Sequence, residues 1–237
     1  MKYKIVILLL FACASFSSAQ FNGKKFAVSV NAVYTTTAKI YLSPNSSDQI
    51  IRNSFFPLDD IVNPSVDLKY SLTDQIILGL GTEYMKETKS GKNLTAFSGN
   101  QTVAVDVEDG FILIPLEFSV YYKLPFSTEK FKFLMGGGAG LYFGEHVRKF
   151  GDAEVSNVNR KTAYGIHVML TMDYLIKPYL SIRGEMKFRD PQFSVTSRYN
   201  KQQVNYDGKT ITLAQETFDS KINVDGVTFL TGIAFQF

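Results

Sequence analysis

His146 and His167 are the only imidazoles of the 237-residue chain, and Cys13 is its only thiol. Acyl transfer by a hydroxyl needs a base to take its proton and an acid to orient that base. His146 stands beside Glu145, and Ser194 or Ser197 could approach it from another strand. No motif links these residues, and a histidine beside a glutamate at a strand end reads as a solvated polar pair. No catalytic residue and no enzyme activity is expected. No Cys or His cluster has metal-ligand spacing, and Gly136-Gly137-Gly138 runs into more strand rather than into a helix, so it is not a phosphate loop. The net charge of +3 is spread over scattered basic residues, which gives no footprint for nucleic acid. Cofactors are therefore not expected. Asn45, Asn93 and Asn100 lie in Asn-X-Ser/Thr triplets and read as ordinary loop residues.

The charged residues that do form a pattern recur at every second position. In the segment 179–189, Arg183, Glu185, Lys187 and Arg189 alternate with Ile182, Gly184, Met186 and Phe188. The same period of two recurs at 26–34, 65–72, 76–85, 111–123, 131–144, 163–174 and 226–237, and it marks strands with unlike faces. Short turns near 72–74, 125–130 and 175–179 alternate with long polar connections near 43–60, 86–109, 145–161 and 190–221. Ahead of all this stand Lys2, Lys4, an apolar run over 5–14 and the small residues Ser17 and Ala19. That is the layout of a cleaved signal peptide over 1–19, leaving 20–237 as one domain. Cys13 follows Leu10-Phe11-Ala12, which resembles a lipoprotein signal except for the bulky Phe11, and lipidation is not expected.

Alternation alone does not say which face is inside. A soluble barrel buries its apolar face, whereas a membrane barrel turns that face to lipid. Three features favour lipid. The polar face carries Gly79, Gly81, Gly136, Gly138, Gly140, Gly165 and Gly232, small residues that suit the narrow lumen of eight strands. Tyr34, Tyr70, Tyr84, Tyr122, Tyr164 and Tyr174 sit near the ends of apolar stripes, as interfacial girdles do. The ten steps from Tyr164 to Tyr174 cover roughly 33 Å along a strand, or about 25 Å along the normal at a tilt of ~40°. The expected fold is therefore all-β, an eight-stranded antiparallel up-and-down transmembrane β-barrel. Its lumen would be lined by Asp67, Lys69, Glu83, Glu117, Asp173, Arg183, Glu185 and Lys187, with Lys123, Lys132 and Arg189. Acids and bases are nearly balanced there, which implies an ion-paired plug. A register pairing Tyr174 with Leu180 would set Thr171 opposite Arg183, His167 opposite Lys187 and Asp173 diagonal to Arg183. Pro115, expected near Gly140, would either bulge the wall or open a lateral gap.

With its leader, eight strands and final Phe235-Gln236-Phe237, nearly the whole chain resembles the small outer-membrane β-barrel proteins. Ile112-Leu113-Ile114-Pro115-Leu116 followed by Tyr121-Tyr122-Lys123 is similar to a strand of the Bacteroidetes-type barrel family. The resemblance implies that Phe235 and Phe237 are read by the barrel-assembly machinery. It implies a protein of the outer membrane of a Gram-negative bacterium with both termini periplasmic, in contact with outer-membrane lipid and lipopolysaccharide. The function it leaves is a structural or surface-interaction role, or a narrow channel. The alternatives are an accessory subunit of a secretion or surface-assembly complex and a secreted soluble ligand-binding barrel. The mean hydropathy of −0.01 averages two opposite faces and separates none of these.

Overall fold

The computed structural model of the chain describes residues 24–98, 101–206, 208–213 and 217–237. The expected leader, Cys13 and Asn100 lie outside them. The chain builds eight walls in sequence order. β1 (Phe26–Tyr41) and β2 (Phe56–Ser71) are the first two, with a one-turn helix α1 (Gln49–Asn53) between them. The third wall is β3 (Ile76–Glu83) continued by β4 (Met85–Ser98), the fourth is β5 (Gln101–Lys123) and the fifth is β6 (Phe131–Phe150). β7 (Ala153–Arg160) with β8 (Ala163–Lys177) makes the sixth, and β9 (Leu180–Arg189) with β10 (Gln192–Tyr199) the seventh. A small hairpin follows, β11 (Gln203–Tyr206) and β12 (Lys209–Thr212), before the eighth wall of β13 (Phe218–Asn223) and β14 (Val227–Gln236). All pairings are antiparallel, and β14 closes on β1 from Ala27↔Gln236 to Thr35↔Thr228, so the sheet has no free edge there.

The walls are longer than the alternation suggested. The connections expected over 86–109, 145–161 and 190–221 are mostly strand, because the pattern changes sense beyond the tyrosines, whereas 43–55 holds no strand. In β1 the inward residues are Ser29, Asn31, Val33 and Thr35, then Ala38 and Ile40; in β2 they are Ser65, Asn63 and Ile61, then Leu58. Both strands switch parity at one level, where Asp60 takes a left-handed φ of 58° and accepts a hydrogen bond from the Tyr34 hydroxyl at 2.5 Å. Above this level apolar side chains point inward and polar ones outward, the reverse of the lower half, and a search for one apolar stripe reads the result as loop.

The outward face of the lower half is an apolar belt. Val30, Val66, Leu80, Phe118, Met135, Val168, Leu170 and Ile233 are all exposed, and Ile166 is 79% so. Behind them, Lys69, Glu117, Asp173, Arg183 and Lys187 are at most 7% exposed. Leaving one large apolar side chain in water forgoes about 1.5–3 kcal/mol, and here a whole ring of them faces outward. A water-soluble barrel is ruled out by this inversion.

Among the described residues the ladder is interrupted between the second and third walls and again beside β6. Pairing of β2 with β3 ends at Ser65↔Glu83, and one further bond runs from the Tyr84 amide to the Pro64 carbonyl at 3.2 Å. The reciprocal bond cannot form, because Pro64 has no N–H to give the Tyr84 carbonyl. Above it β4 pairs only with β5, leaving the upper half of β2 without a ladder to the third wall. Pro115 flanks the same break from the other side, its carbonyl taken by the Thr82 hydroxyl at 2.8 Å. Pro115 lies opposite Tyr142, not near Gly140, and its pairing with β6 is continuous. The second gap lies between β6 and the sixth wall. β8 leaves β6 at Tyr142↔Ala163, β7 rejoins it only at Lys149↔Glu154, and residues 155–160 pair with β10 instead.

Candidate functional site

Functional chemistry in a closed barrel belongs to the lumen or to the two ends. The lumen is filled in tiers. At the turn end, Arg183 lies directly opposite Asp173 and grips it with two bonds, Nε to Oδ1 at 2.7 Å and Nη2 to Oδ2 at 2.9 Å, while Nη1 donates to Ser29 at 2.8 Å. The expected register is thus corrected by two residues. The chain turns through Pro178 and Tyr179 alone, so Lys177 pairs with Leu180, Tyr174 with Ile182, Thr171 with Glu185 and His167 with Arg189. A bulge between Leu175 and Lys177 absorbs the difference.

The seventh wall supplies the alternating charges Arg183, Glu185, Lys187 and Arg189, and the other walls answer them. Lys187 donates to Glu117 at 2.7 Å, and Arg189 reaches both Glu83 and, at 3.2 Å, Glu117. Glu185 takes the Thr171 hydroxyl at 2.8 Å and lies 3.7 Å from the Lys69 ammonium. That ammonium stands 3.8 Å from the centroid of the Tyr121 ring, a cation–π contact in a desolvated site. Asn31 donates to the half-buried Asp67 at 2.7 Å, and Asn63 to Glu83 at 2.7 Å. Lys132, opposite Asp173, is also buried. These bonds fall into two sets: one joins Lys69, Glu83, Glu117, Glu185, Lys187 and Arg189, with Asn63, Tyr121 and Tyr142, and the other joins Asp173 and Arg183, through Ser29, to Asp67 and Asn31. Tyr142 donates to Glu117 at 3.1 Å, a role its flanking apolar residues conceal in the sequence.

Glycine makes room for this network. At Gly138 a Cβ would meet the Phe118 carbonyl oxygen and stand 2.9 Å from His167 Nε2, so only glycine fits between wall and plug. His167 meets the Ser119 hydroxyl at 2.8 Å, but its Nδ1 has no partner to orient it, and the pair lies inside the filled lumen.

Above the charges the lumen becomes apolar. Leu58, Ile61, Met85, Phe111, Leu113, Tyr142 and Phe193 pack together at the level of the two wall gaps, with Phe111 edge-on to Phe193 at 6.4 Å. Next comes a second polar tier. His146 is not at a solvated rim beside Glu145, as expected. It points inward, buried, with Nε2 3.3 Å from Asp109, which Arg148 also approaches at 3.4 Å. Burial holds the imidazole below the usual histidine range, against the pull of Asp109. Arg148 donates to the Tyr199 hydroxyl at 2.9 Å, and Ser197 bonds Asn157 rather than any histidine. The β11–β12 hairpin then covers the top, packing Val204, Ile211 and Leu213 on Val105, Val107 and Phe150. The internal cavities beside Glu83 and beside Lys69 measure about 10 Å³ each, room for no more than a water molecule.

On the outer face, Tyr34, Tyr84 and Tyr164 lie toward the loop end of the belt and Tyr70, Tyr122 and Tyr174 toward the turn end. The Phe131 ring meets Tyr174 at a tilt, 4.7 Å between centroids, and Phe26 meets Tyr70 in the same way at 5.0 Å. Phe235 and Phe237 are exposed, and Phe237 exchanges backbone bonds with Phe26 at 2.9 and 3.0 Å, so the last residue is held in the wall.

No protein family matches the chain by sequence, and no curated protein does. Solved structures do match. The crystal structure of the outer membrane protein OprG from Pseudomonas aeruginosa superposes with a TM-score of 0.59 at 12% identity, covering 90% of this chain and 96% of that one. Outer membrane protein AlkL in lipid bilayers gives 0.47 at 12% identity, covering 94% of each chain. Neisserial surface protein A gives 0.44 at 12%, over 90% of this chain and 97% of that one. The inverted faces and the likeness to OprG together make this chain an eight-stranded antiparallel β-barrel of the outer-membrane kind.

Proposed function

We propose that the protein is a closed-lumen barrel of a Gram-negative outer membrane, a non-conducting scaffold whose working surface is its long-stranded end. The observation that carries this is the filling of the lumen, where the cavities beside Glu83 and beside Lys69 are about 10 Å³ each. Buried charges with partners across five walls resist rearrangement, because separating any pair leaves an uncompensated charge in a low dielectric. Both ends of the domain meet at the turn end, where Phe26 bonds Phe237, and we place that end in the periplasm, with the preceding leader removed there. Phe235 and Phe237 would be the feature that the assembly machinery reads, and the Ile112–Leu116 segment supports a Bacteroidetes-type relative. The loop end carries a polar concavity of about 310 Å³ lined by Ser156, Arg198, Tyr199, Asn200 and Lys201, which suits contact with surface saccharide or a secretion-complex partner. Reconstituted into planar bilayers, the protein should show no conductance steps; stable steps of uniform size would refute the closed lumen.

A second reading rests on the gap above Pro64. Apolar lumen residues Ile61 and Met85 lie directly behind a stretch of wall without a ladder, so a small apolar molecule in the membrane has a lateral route into the apolar tier. The two readings share a closed polar plug below.

A further inference from the structure

The gap between β6 and the sixth wall opens on the outer surface as a notch of about 170 Å³. Its lower lip is apolar: Ile114 and Phe143, cross-strand neighbours, are both exposed at the upper border of the belt. Its upper lip is charged. Arg160 and Lys161 stand four and three residues beyond Tyr164, about 8–10 Å further along the membrane normal at a strand tilt of ~40°. That is the depth of a headgroup. Gly144 floors the notch, since the Phe193 ring behind it leaves no room for a side chain. Arg160 is shared with Glu145, an ion pair spanning the gap, whereas Lys161 is exposed and its amide is tied to the Ser194 carbonyl at 3.2 Å. Cations set directly above an apolar ramp, beside an unzipped wall, match a ligand with an anionic head and a hydrocarbon tail.

We propose that this notch binds a phosphorylated glycolipid of the outer leaflet, with Lys161 and Arg160 taking a phosphate and Ile114 and Phe143 an acyl chain. The occupant follows from the orientation given above, since the leaflet at the loop end of such a barrel is built of phosphorylated lipid A. Glu145 is released to solvent when the phosphate replaces it on Arg160.

The test uses the mature protein in non-ionic detergent and native mass spectrometry with phosphorylated lipid A. One lipid should remain bound through detergent removal. R160Q/K161Q, checked for folding by its heat-shifted migration on gels, should bind about tenfold less, the effect of losing about 1.4 kcal/mol of charge-assisted bonding. K89Q, which removes a cation at the same end but in an ion pair with Asp59, should bind as the parent does. Dephosphorylated lipid A should be retained weakly, and excess inorganic phosphate should not displace the lipid. Equal retention by the folded double variant, equal retention of the dephosphorylated lipid, or displacement by phosphate alone would each overturn the site. None of these results bears on whether the lumen conducts.

Discussion

Single residues in this barrel take their meaning from the face they occupy. Arg183 and Asp173 are both about 2% exposed, and the two bonds between them are what lets either charge remain inside the wall. Removing one partner costs more than removing both, because the survivor keeps its desolvation penalty and loses its compensation. Asp173→Ala should therefore destabilise the barrel by about 3–5 kcal/mol in urea titrations in lipid vesicles. Asp173→Leu with Arg183→Met, which empties the pair of charge, should recover most of that loss. If the double variant is no more stable than the single one, the pair is not the unit that holds this tier. Lys69 shows the same logic with a weaker partner. Its ammonium lies 3.7 Å from Glu185 and leans on the Tyr121 ring, so its neighbours share the compensation. The inward direction of these side chains was legible from parity alone, since charges alternating with Ile182, Met186 and Phe188 leave one arrangement inside a membrane. Their partners were not, because pairing across walls depends on register, and a two-residue turn at Pro178-Tyr179 moved every pair on β8 and β9 by two positions. The place of His146 is obscure for a related reason: its neighbours Val147 and Glu145 hide the inward parity that joins it to Gly144 and Arg148.

Elements are legible in the sequence where one face is apolar throughout and obscure where the faces exchange roles. β8, β9 and β14 lie almost wholly inside the belt, so alternation marks nearly their full length, whereas β1, β2, β5 and β6 run far beyond it, to where apolar residues turn inward. The break in the third wall has a local cause. Pro64 and Pro115 flank Glu83 and Tyr84 from the two neighbouring strands, and neither proline has an amide hydrogen to offer. Beyond that point β2 and β4 still run close enough for Lys89 and Asp59 to form an ion pair at 3.6 Å. Pro64→Ala should supply the N–H for the Tyr84 carbonyl and let the strands zip, raising hydrogen-exchange protection at Val62 and Lys86 about tenfold, the worth of one net hydrogen bond. Unchanged protection there would mean that wall curvature, not proline, holds the strands apart. The same variant bears on lateral access, since a zipped wall seals the apolar tier from the membrane.

At the scale of the whole molecule the lumen and the belt are two halves of one solution. A barrel of eight strands encloses too little volume for water, so its interior must be solid, and lipid outside forbids the usual placement of charge at the surface. The chain answers with a charged core wrapped in apolar residues below, and with an apolar core wrapped in polar residues above. The level at which the two arrangements exchange is the upper membrane border, and Tyr34, Tyr84 and Tyr164 mark it on three different walls. This makes the effect of a surface charge depend on height alone. Leu170 faces outward midway between Tyr164 and Tyr174, whereas Val158 faces outward on the same wall but above the border, and both are about half exposed. Leu170→Arg should cost about 2–4 kcal/mol in unfolding from lipid bilayers, because the guanidinium must sit near the bilayer midplane. Val158→Arg should change stability by less than about 1 kcal/mol, as a charge beyond the interface remains hydrated. Equal penalties at both sites would place Val158 in lipid too and move the border outward, and equal tolerance would deny that the belt is immersed at all. Only an embedded lower half with a hydrated upper half separates the two substitutions.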